Sequence, residues 1–322
     1  MKNFAITGVG GFIAPRHLQA IRDSGNRLVA ALDPHDAVGV MDRYFDDVAY
    51  FREFERFDRF VEKLRRRGDA ERIHYVTICT PNYLHDAHIR FALRVGADAI
   101  CEKPLVLNPW NLDALQELER ETGRKVFTVL QLRLHPSIVA LRERMAREPA
   151  GEVHDLDLTY ITSRGRWYGV SWKGDLERSG GIATNIGVHF FDMLSWIFGP
   201  VREMEVHVSE PARAAGFLRL ERARVRWFLS LQREDLPRVA REAGKSTYRS
   251  LLLEREEIEF SDGFADLHTA VYRDVLAGGG FGIEDARPSI ALVHGIRNAP
   301  VVASVTERTH PFAARIREQE GR

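Results

Sequence analysis

The sequence predicts an α/β protein of two domains, a parallel sheet covered by helices and then an α/β domain with a largely antiparallel open sheet. Three observations carry this. Residues 4–132 alternate short apolar runs with stretches of helical periodicity, the pattern of strands buried on both faces. From residue 153 onward the runs alternate apolar with polar residues, as strands with one wet face do. A chain of 322 residues, 44% hydrophobic, exceeds one simple core, and at ~100–200 residues per domain it suggests two. The division is expected at 136/137, giving a nucleotide-binding domain of residues 1–136 and a substrate-binding and oligomerisation domain of residues 137–322.

The first strand, Phe4 to Thr7, runs into Gly8-Val9-Gly10-Gly11-Phe12-Ile13-Ala14 and then helical periodicity through Ile21. Strand, glycine-rich turn and helix form the dinucleotide-binding context of a Rossmann domain. The fingerprint is imperfect, because Ile13 stands at its third glycine. With one residue inserted, Gly8, Gly11 and Ala14 supply the tight turn, the close approach to pyrophosphate and the close helix packing. The second strand, Leu28 to Leu32, ends at Asp33, 25 positions beyond Gly8. A carboxylate there can accept hydrogen bonds from the ribose hydroxyls and would repel a 2′-phosphate, which argues for NAD as the cofactor. Asp36 is placed near the adenosine.

Phe51, Phe54, Phe57 and Phe60 recur at spacings of three and predict one amphipathic helix packed on the sheet. The strand Ile73 to Cys79 stops at Thr80-Pro81-Asn82, ahead of a helix from about His85 to Val95. Its proline leaves a loop for the nicotinamide half of the cofactor. The next strand ends abruptly in Glu102-Lys103-Pro104, placing an amine where a buried strand opens into a loop. Such crevices beyond strand ends are where α/β sheets bind ligands. A helix over about 109–122 leads to the strand 126–132, which carries Gln131, with Arg133 just beyond. Gly8, Gly10, Gly11, Phe12, Ile13, Asp33, Asp36, Thr80, Pro81, Asn82, His85, Glu102, Lys103 and Gln131 are the expected cofactor contacts.

In the second half, strands are expected at 153–161, 201–209, 215–220, 223–231, 247–253 and 256–260, with helices at about 182–198, 265–277 and 285–298. Gly180-Gly181 open a helix on which Asn185, His189, Asp192 and Trp196 recur at four, three and four residues, and so share a face. Before it, Arg164, Arg166 and Lys173 interleave with Trp167, Tyr168 and Trp172. Guanidinium groups in such a loop can grip phosphate or carboxylate while aromatic rings stack on a sugar. Lys103, Arg133, Arg164, Arg166, Tyr168, Trp172, Lys173, Asn185 and His189 are the expected substrate contacts.

Lys plus Arg and Asp plus Glu both count 46, so net charge points to neither a nucleic-acid nor a membrane partner. Two cysteines cannot form a disulfide framework and fit a reducing cytoplasm. The start of the chain lacks the apolar run of a signal peptide. No metal site is expected, since the histidines have no paired ligand spacing with cysteine.

Glu102-Lys103-Pro104 after the glycine-rich turn, with Gly180-Gly181 and Gly187-Val188-His189 downstream, resembles the glucose-fructose oxidoreductase/inositol dehydrogenase/rhizopine catabolism family over the whole chain. Ile13 to His17, Pro81 to His88, Leu105 to Trp110 and Thr162 to Trp172 are similar to its branch acting on UDP-linked N-acetyl-2-amino-2-deoxyglucuronate in lipopolysaccharide O-antigen synthesis. The resemblance implies NAD-dependent oxidation of the sugar C3 hydroxyl to a 3-keto sugar by a homo-oligomer, often a tetramer. It implies, for some members, cofactor reoxidation by 2-oxoglutarate. Lys103, His189 and Asn185 are then the catalytic candidates. Where many members carry Asp four residues before the histidine, this chain has Asn185, which cannot take a proton. Proton transfer falls to His189 or Lys103, with His189 favoured as base and Lys103 as electrophile. A same-family dehydrogenase of a free polyol and a non-catalytic NAD-binding regulator are the alternatives.

Overall fold

The computed structural model describes residues 1–149, 151–258, 260, 266–302 and 306–320, with side chains as far as residue 318. It divides into two compact units. The first comprises Met1–Leu134 together with Ala265–Arg287, and the second His135–Phe264 together with Pro288–Arg322. The single cut expected at 136/137 is thus corrected: the chain leaves the first unit and later returns to it. No periodicity marks this, because a helix that completes a distant core looks like any other amphipathic helix.

The first unit holds a sheet of β1 (Asn3–Thr7), β2 (Arg27–Leu32), β3 (Ala49–Phe51), β4 (Tyr75–Ile78), β5 (Asp98–Cys101) and β6 (Val126–Thr128), in the order β3-β2-β1-β4-β5-β6. All its pairings are parallel. Every residue of β1 is buried, as helices on both faces require. Phe51 belongs to β3 and not to the expected helix, which spans Phe54–Arg66. The aromatic rings still meet, Phe51 on Phe60 at 5.1 Å and Phe57 on Phe91 at 5.4 Å between centroids. A three-residue edge strand is too short to show period-two alternation, which is why the helical spacing masked it. The strand expected over 126–132 ends at Thr128, and Gln131–Leu134 is a single 3₁₀ turn.

Register aligns the strand ends. Thr7 pairs with Ile78, Ile78 with Cys101 and Cys101 with Thr128. Gly8, Thr80, Lys103 and Gln131 therefore follow strands that finish level along one edge of the sheet. The strand order reverses between β1 and β4, and this is the switch point at which open α/β sheets bind ligands.

The second unit holds β7 (His154–Thr162), β8 (Val201–Ser209), β9 (Arg213–Leu220), β10 (Ala223–Ser230), β11 (Thr247–Leu253) and β12 (Glu256–Glu257), in the order β12-β11-β7-β10-β9-β8. Of these named strands, β7 and β10 pair in parallel and the other pairings are antiparallel. The run expected over 256–260 forms a strand at Glu256–Glu257, and part of it, with residue 265, lies outside the described residues. Trp227 of β10 is fully buried and meets Phe191 edge-on at 5.2 Å. Gly216 opposite makes room, since a Cβ there would stand 2.7 Å from the Trp227 ring. Gly187 lets the functional helix press on the same strand: its Cβ would stand 2.7 Å from Leu229.

Candidate active site

At the end of β1 the chain turns through Gly8 at φ +78°, where a Cβ would lie 2.6 Å from the carbonyl carbon of Cys79. Gly11 N–H closes the turn on Gly8 C=O at 3.0 Å. Asp33, at the end of β2, is buried and already engaged, its Oδ2 accepting from Gly10 N–H at 2.8 Å and its Oδ1 from His35 N–H at 3.0 Å. Each carboxylate oxygen retains a lone pair for a ribose hydroxyl. Asp36 instead caps the next turn, accepting from Val38 N–H at 3.2 Å. Ile13 is the N-cap of the helix Ala14–Asp23, whose first turn holds no acidic residue, a setting that favours an anion. Phe12 stands 91% exposed beside it.

A dinucleotide fits this edge on two counts. The glycines leave no side chain between backbone and ligand. The buried oxygens Thr7 Oγ1, Thr80 Oγ1, Thr128 Oγ1 and Gln131 Oε1, at or just beyond the strand ends, have no hydrogen-bond partner among the described residues. Unpaired buried polar atoms are costly, so a polar ligand there would satisfy them.

Beyond β4, Pro81 is half-buried, Asn82 is buried, and His85 lies with its Nδ1 2.7 Å from Pro104 C=O and its Nε2 2.9 Å from Thr80 C=O. Burial drives the His85 pKa down, against the pull of the two carbonyls. The ring thus sits between the Thr80 loop and the loop bearing half-buried Lys103, and as a neutral imidazole it donates to one of the two carbonyls. Glu102 turns inward. Its Oε1 accepts from His17 Nε2 at 2.9 Å and His268 Nε2 at 3.1 Å, and its Oε2 accepts from Lys103 N–H at 3.2 Å. Arg133 is likewise buried, donating to Asp285 Oδ1 at 2.8 Å and to Asp285 C=O at 2.9 Å. His17, His268 and Tyr272 escaped attention in the sequence because Glu102 and His268 are 166 positions apart.

In the second unit, Asp175 caps the short helix Leu176–Ser179 through Glu177 and Arg178 N–H groups. Gly180 at φ +80° and Gly181 at φ +79° then redirect the chain. Asn185 lies in a π-helical turn, Ala183–Gly187, ahead of the α-helix Val188–Phe198 that carries His189. The single regular helix expected over 182–198 thus begins with a π turn; such turns recur at functional sites. Asn185 Nδ2 donates to Tyr168 Oη at 2.6 Å, and both residues are buried. Burial raises the Tyr168 pKa, partly offset by that bond and by the Arg164 charge. Lys173 Nζ lies 4.2 Å from the Trp172 ring centroid and 5.6 Å from that of Trp167, a cation on aromatic faces. Arg164 and Arg166 are exposed. Tyr168→Phe removes the acceptor of the Asn185 amide and is expected to lower kcat about 3–10-fold with the fold intact, in line with the loss of one buried hydrogen bond. Steady-state kinetics with a circular dichroism control checks this.

The matching family models are the oxidoreductase family with NAD-binding Rossmann fold, over residues 2–130, and the C-terminal α/β domain of the same oxidoreductase family, over residues 142–235. The chain is similar to the WlbA (WbpB) dehydrogenase of Thermus thermophilus. Its structure with NAD and α-ketoglutarate superposes at TM-score 0.93 and 52% identity, covering 97% of this chain and all of that one. The structure of that protein with NAD and UDP-GlcNAcA gives the same TM-score at 51% identity, again covering 97% of this chain and 100% of the relative. An inositol 2-dehydrogenase of Rhizobium meliloti is 29% identical over 66% of this chain and 58% of its own length. The chain thus spans less than two thirds of that curated relative. No helix among the described residues is long and apolar enough to cross a membrane. By both domains, the chain belongs to the GFO/IDH/MocA oxidoreductase family, with an NAD-binding Rossmann fold and the family's C-terminal α/β domain.

Proposed function

We propose that this chain oxidises the C3 hydroxyl of UDP-N-acetyl-2-amino-2-deoxyglucuronate to the 3-keto sugar, in the synthesis of O-antigen sugars. The observation that carries this reading is the likeness, over 97% of the chain, to a dehydrogenase crystallised with NAD and UDP-GlcNAcA. When bound, NAD supplies the two-electron acceptor. Gly8, Gly10 and Gly11 receive the pyrophosphate and Asp33 the ribose, with Thr80 and Gln131 offering polar atoms along the sheet edge.

His189 is the base for the C3 hydroxyl proton, since a ring with a reference pKa of roughly 6.5 is mostly neutral at pH 7. Lys103, as an ammonium, polarises the forming ketone oxygen. Asn185, held by Tyr168, orients the hydroxyl without taking its proton. Exposed Arg164 and Arg166 grip the diphosphate or the uronate, with Lys173 and Trp172 beside them in the same segment. The working form proposed is a cytoplasmic homotetramer. 2-Oxoglutarate is the proposed second oxidant, which would accept two electrons and be reduced to its 2-hydroxy acid; support comes from the α-ketoglutarate seen with NAD in the Thermus relative.

Arg166→Ala is expected to raise KM for the UDP-sugar about 10–100-fold with little change in NAD affinity, the effect of losing one charged contact. Unchanged affinity would remove the clamp. The reading as a whole is tested by NADH appearance against UDP-hexosamine uronates and free polyols, with and without 2-oxoglutarate. Turnover of an inositol alone would replace the nucleotide sugar, and binding of NAD without any turnover would point to a regulator.

A further inference from the structure

The densest set of buried titratable groups lies behind Lys103. His17 comes from the helix Ala14–Asp23, Glu102 from the residue after β5, and His268 and Tyr272 from the helix Leu267–Leu276 in the returning segment. All four are buried, and each belongs to the first unit. Their hydrogen bonds fix where the protons are. Both imidazoles present Nε2 to Glu102 Oε1, at 2.9 and 3.1 Å, and an ionised carboxylate is acceptor only, so both rings carry hydrogen on Nε2. His17 Nδ1 lies 2.9 Å from Tyr272 Oη, which lies 2.7 Å from Thr77 Oγ1. With its proton on Nε2, neutral His17 accepts from the tyrosine, and the tyrosine accepts from the threonine. His268 Nδ1 is buried with no partner among the described residues, which suits a lone pair far better than a cationic N–H.

Burial alone would raise the Glu102 pKa, but the His17 and His268 hydrogen bonds outweigh it and hold the carboxyl well below its usual range. Burial also lowers the pKa of His17, which keeps that ring neutral. The other titratable groups in reach are Cys79, Cys101 and Tyr272, all raised by burial, and His85, lowered by burial. The Glu102 carboxylate is thus the buried anion of this cluster.

We propose that Glu102, clamped by His17 and His268, is a positioning residue whose buried negative charge keeps the neighbouring Lys103 protonated, as the electrophile and not the base. The proposal rests on the dehydrogenase reading above for Lys103's role. The carboxylate acts twice. It accepts the Lys103 backbone N–H, which holds the loop, and its charge favours the ammonium form of the side chain. The returning helix thus supplies a support for catalysis.

The test is competitive acetylation of the full-length chain with acetic anhydride across pH, with Lys103 followed by mass spectrometry. In the wild type Lys103 should titrate at or above the ordinary lysine value of roughly 10.4. A value below about 9 overturns the proposal without any variant. Glu102→Gln should lower that value by about one unit, a tenfold change in proton affinity; no shift in a folded variant also overturns it. For the clamp, His268→Gln keeps an N–H near the Nε2 position and should hold kcat within about threefold. His268→Leu should lower kcat about tenfold or more at unchanged NAD affinity, in the range of a lost hydrogen bond to a charged group. Equal losses in the two reduce His268 to a packing residue. Labelling needs no sugar, so absent turnover in the wild type would remove the substrate reading and leave the Lys103 titration to decide this one.

Discussion

Lys103→Met is expected to lower single-turnover NADH formation about 10²–10⁴-fold, the span a positioned proton-handling or electrophilic side chain contributes. Methionine keeps the length of the side chain and removes its donors, so the oxygen that gains charge at C3 loses its partner. The cofactor should still bind, because the turn at Gly8 and the carboxylate of Asp33 stand at other strand ends. Equilibrium binding of NAD measured beside stopped-flow NADH formation separates the two effects. His189→Ala should show the same pattern, with its loss relieved as pH rises and hydroxide replaces the base. Near-normal rates in either variant would reassign that residue.

Gly8→Ala is expected to harm both stability and cofactor binding. The new Cβ would meet three backbone atoms of Cys79 and Thr80 at 2.6 to 2.7 Å, and backbone cannot swing aside as a side chain can. The φ of +78° adds the left-handed penalty of about 1–2 kcal/mol, and overpacking typically another 1–3, so about 2–5 kcal/mol is lost. NAD affinity should fall at least tenfold, since relief of the clash displaces the turn that faces the pyrophosphate. Gly25 provides the control: its φ is +71° with nothing within 4 Å of the added Cβ. Gly25→Ala should cost only the left-handed penalty of about 1–2 kcal/mol and leave NAD binding alone. Thermal melts and NAD titrations of the pair make the comparison.

Much of this was legible in the residue order. The strand, glycine turn and helix at the start, the acid after β2 and the amine after β5 are local patterns, each set by a few neighbours. The alternation in the second half likewise marked the mixed sheet, because one wet face leaves a period of two. Contacts between distant segments carry no such mark. Glu102 reads as a cofactor contact beside Lys103, and nothing local shows that His17 and His268 hold its carboxylate. Arg133 reads as a substrate contact, and nothing local shows that Asp285 pairs with it. Asn185 and His189 read as positions on one regular helix, and the π turn that holds Asn185 leaves no mark in the residue order.

The returning segment Ala265–Arg287 also limits how this protein can be recombined with its relatives. A chimera joined once near residue 135 would pair one parent's Glu102 and His17 with the other's His268 and Tyr272. Exchange of the nucleotide-binding half therefore demands a second graft, so that the returning helix is inherited with the strands it completes. Each unit is compact by itself, yet their segments are interleaved along the chain.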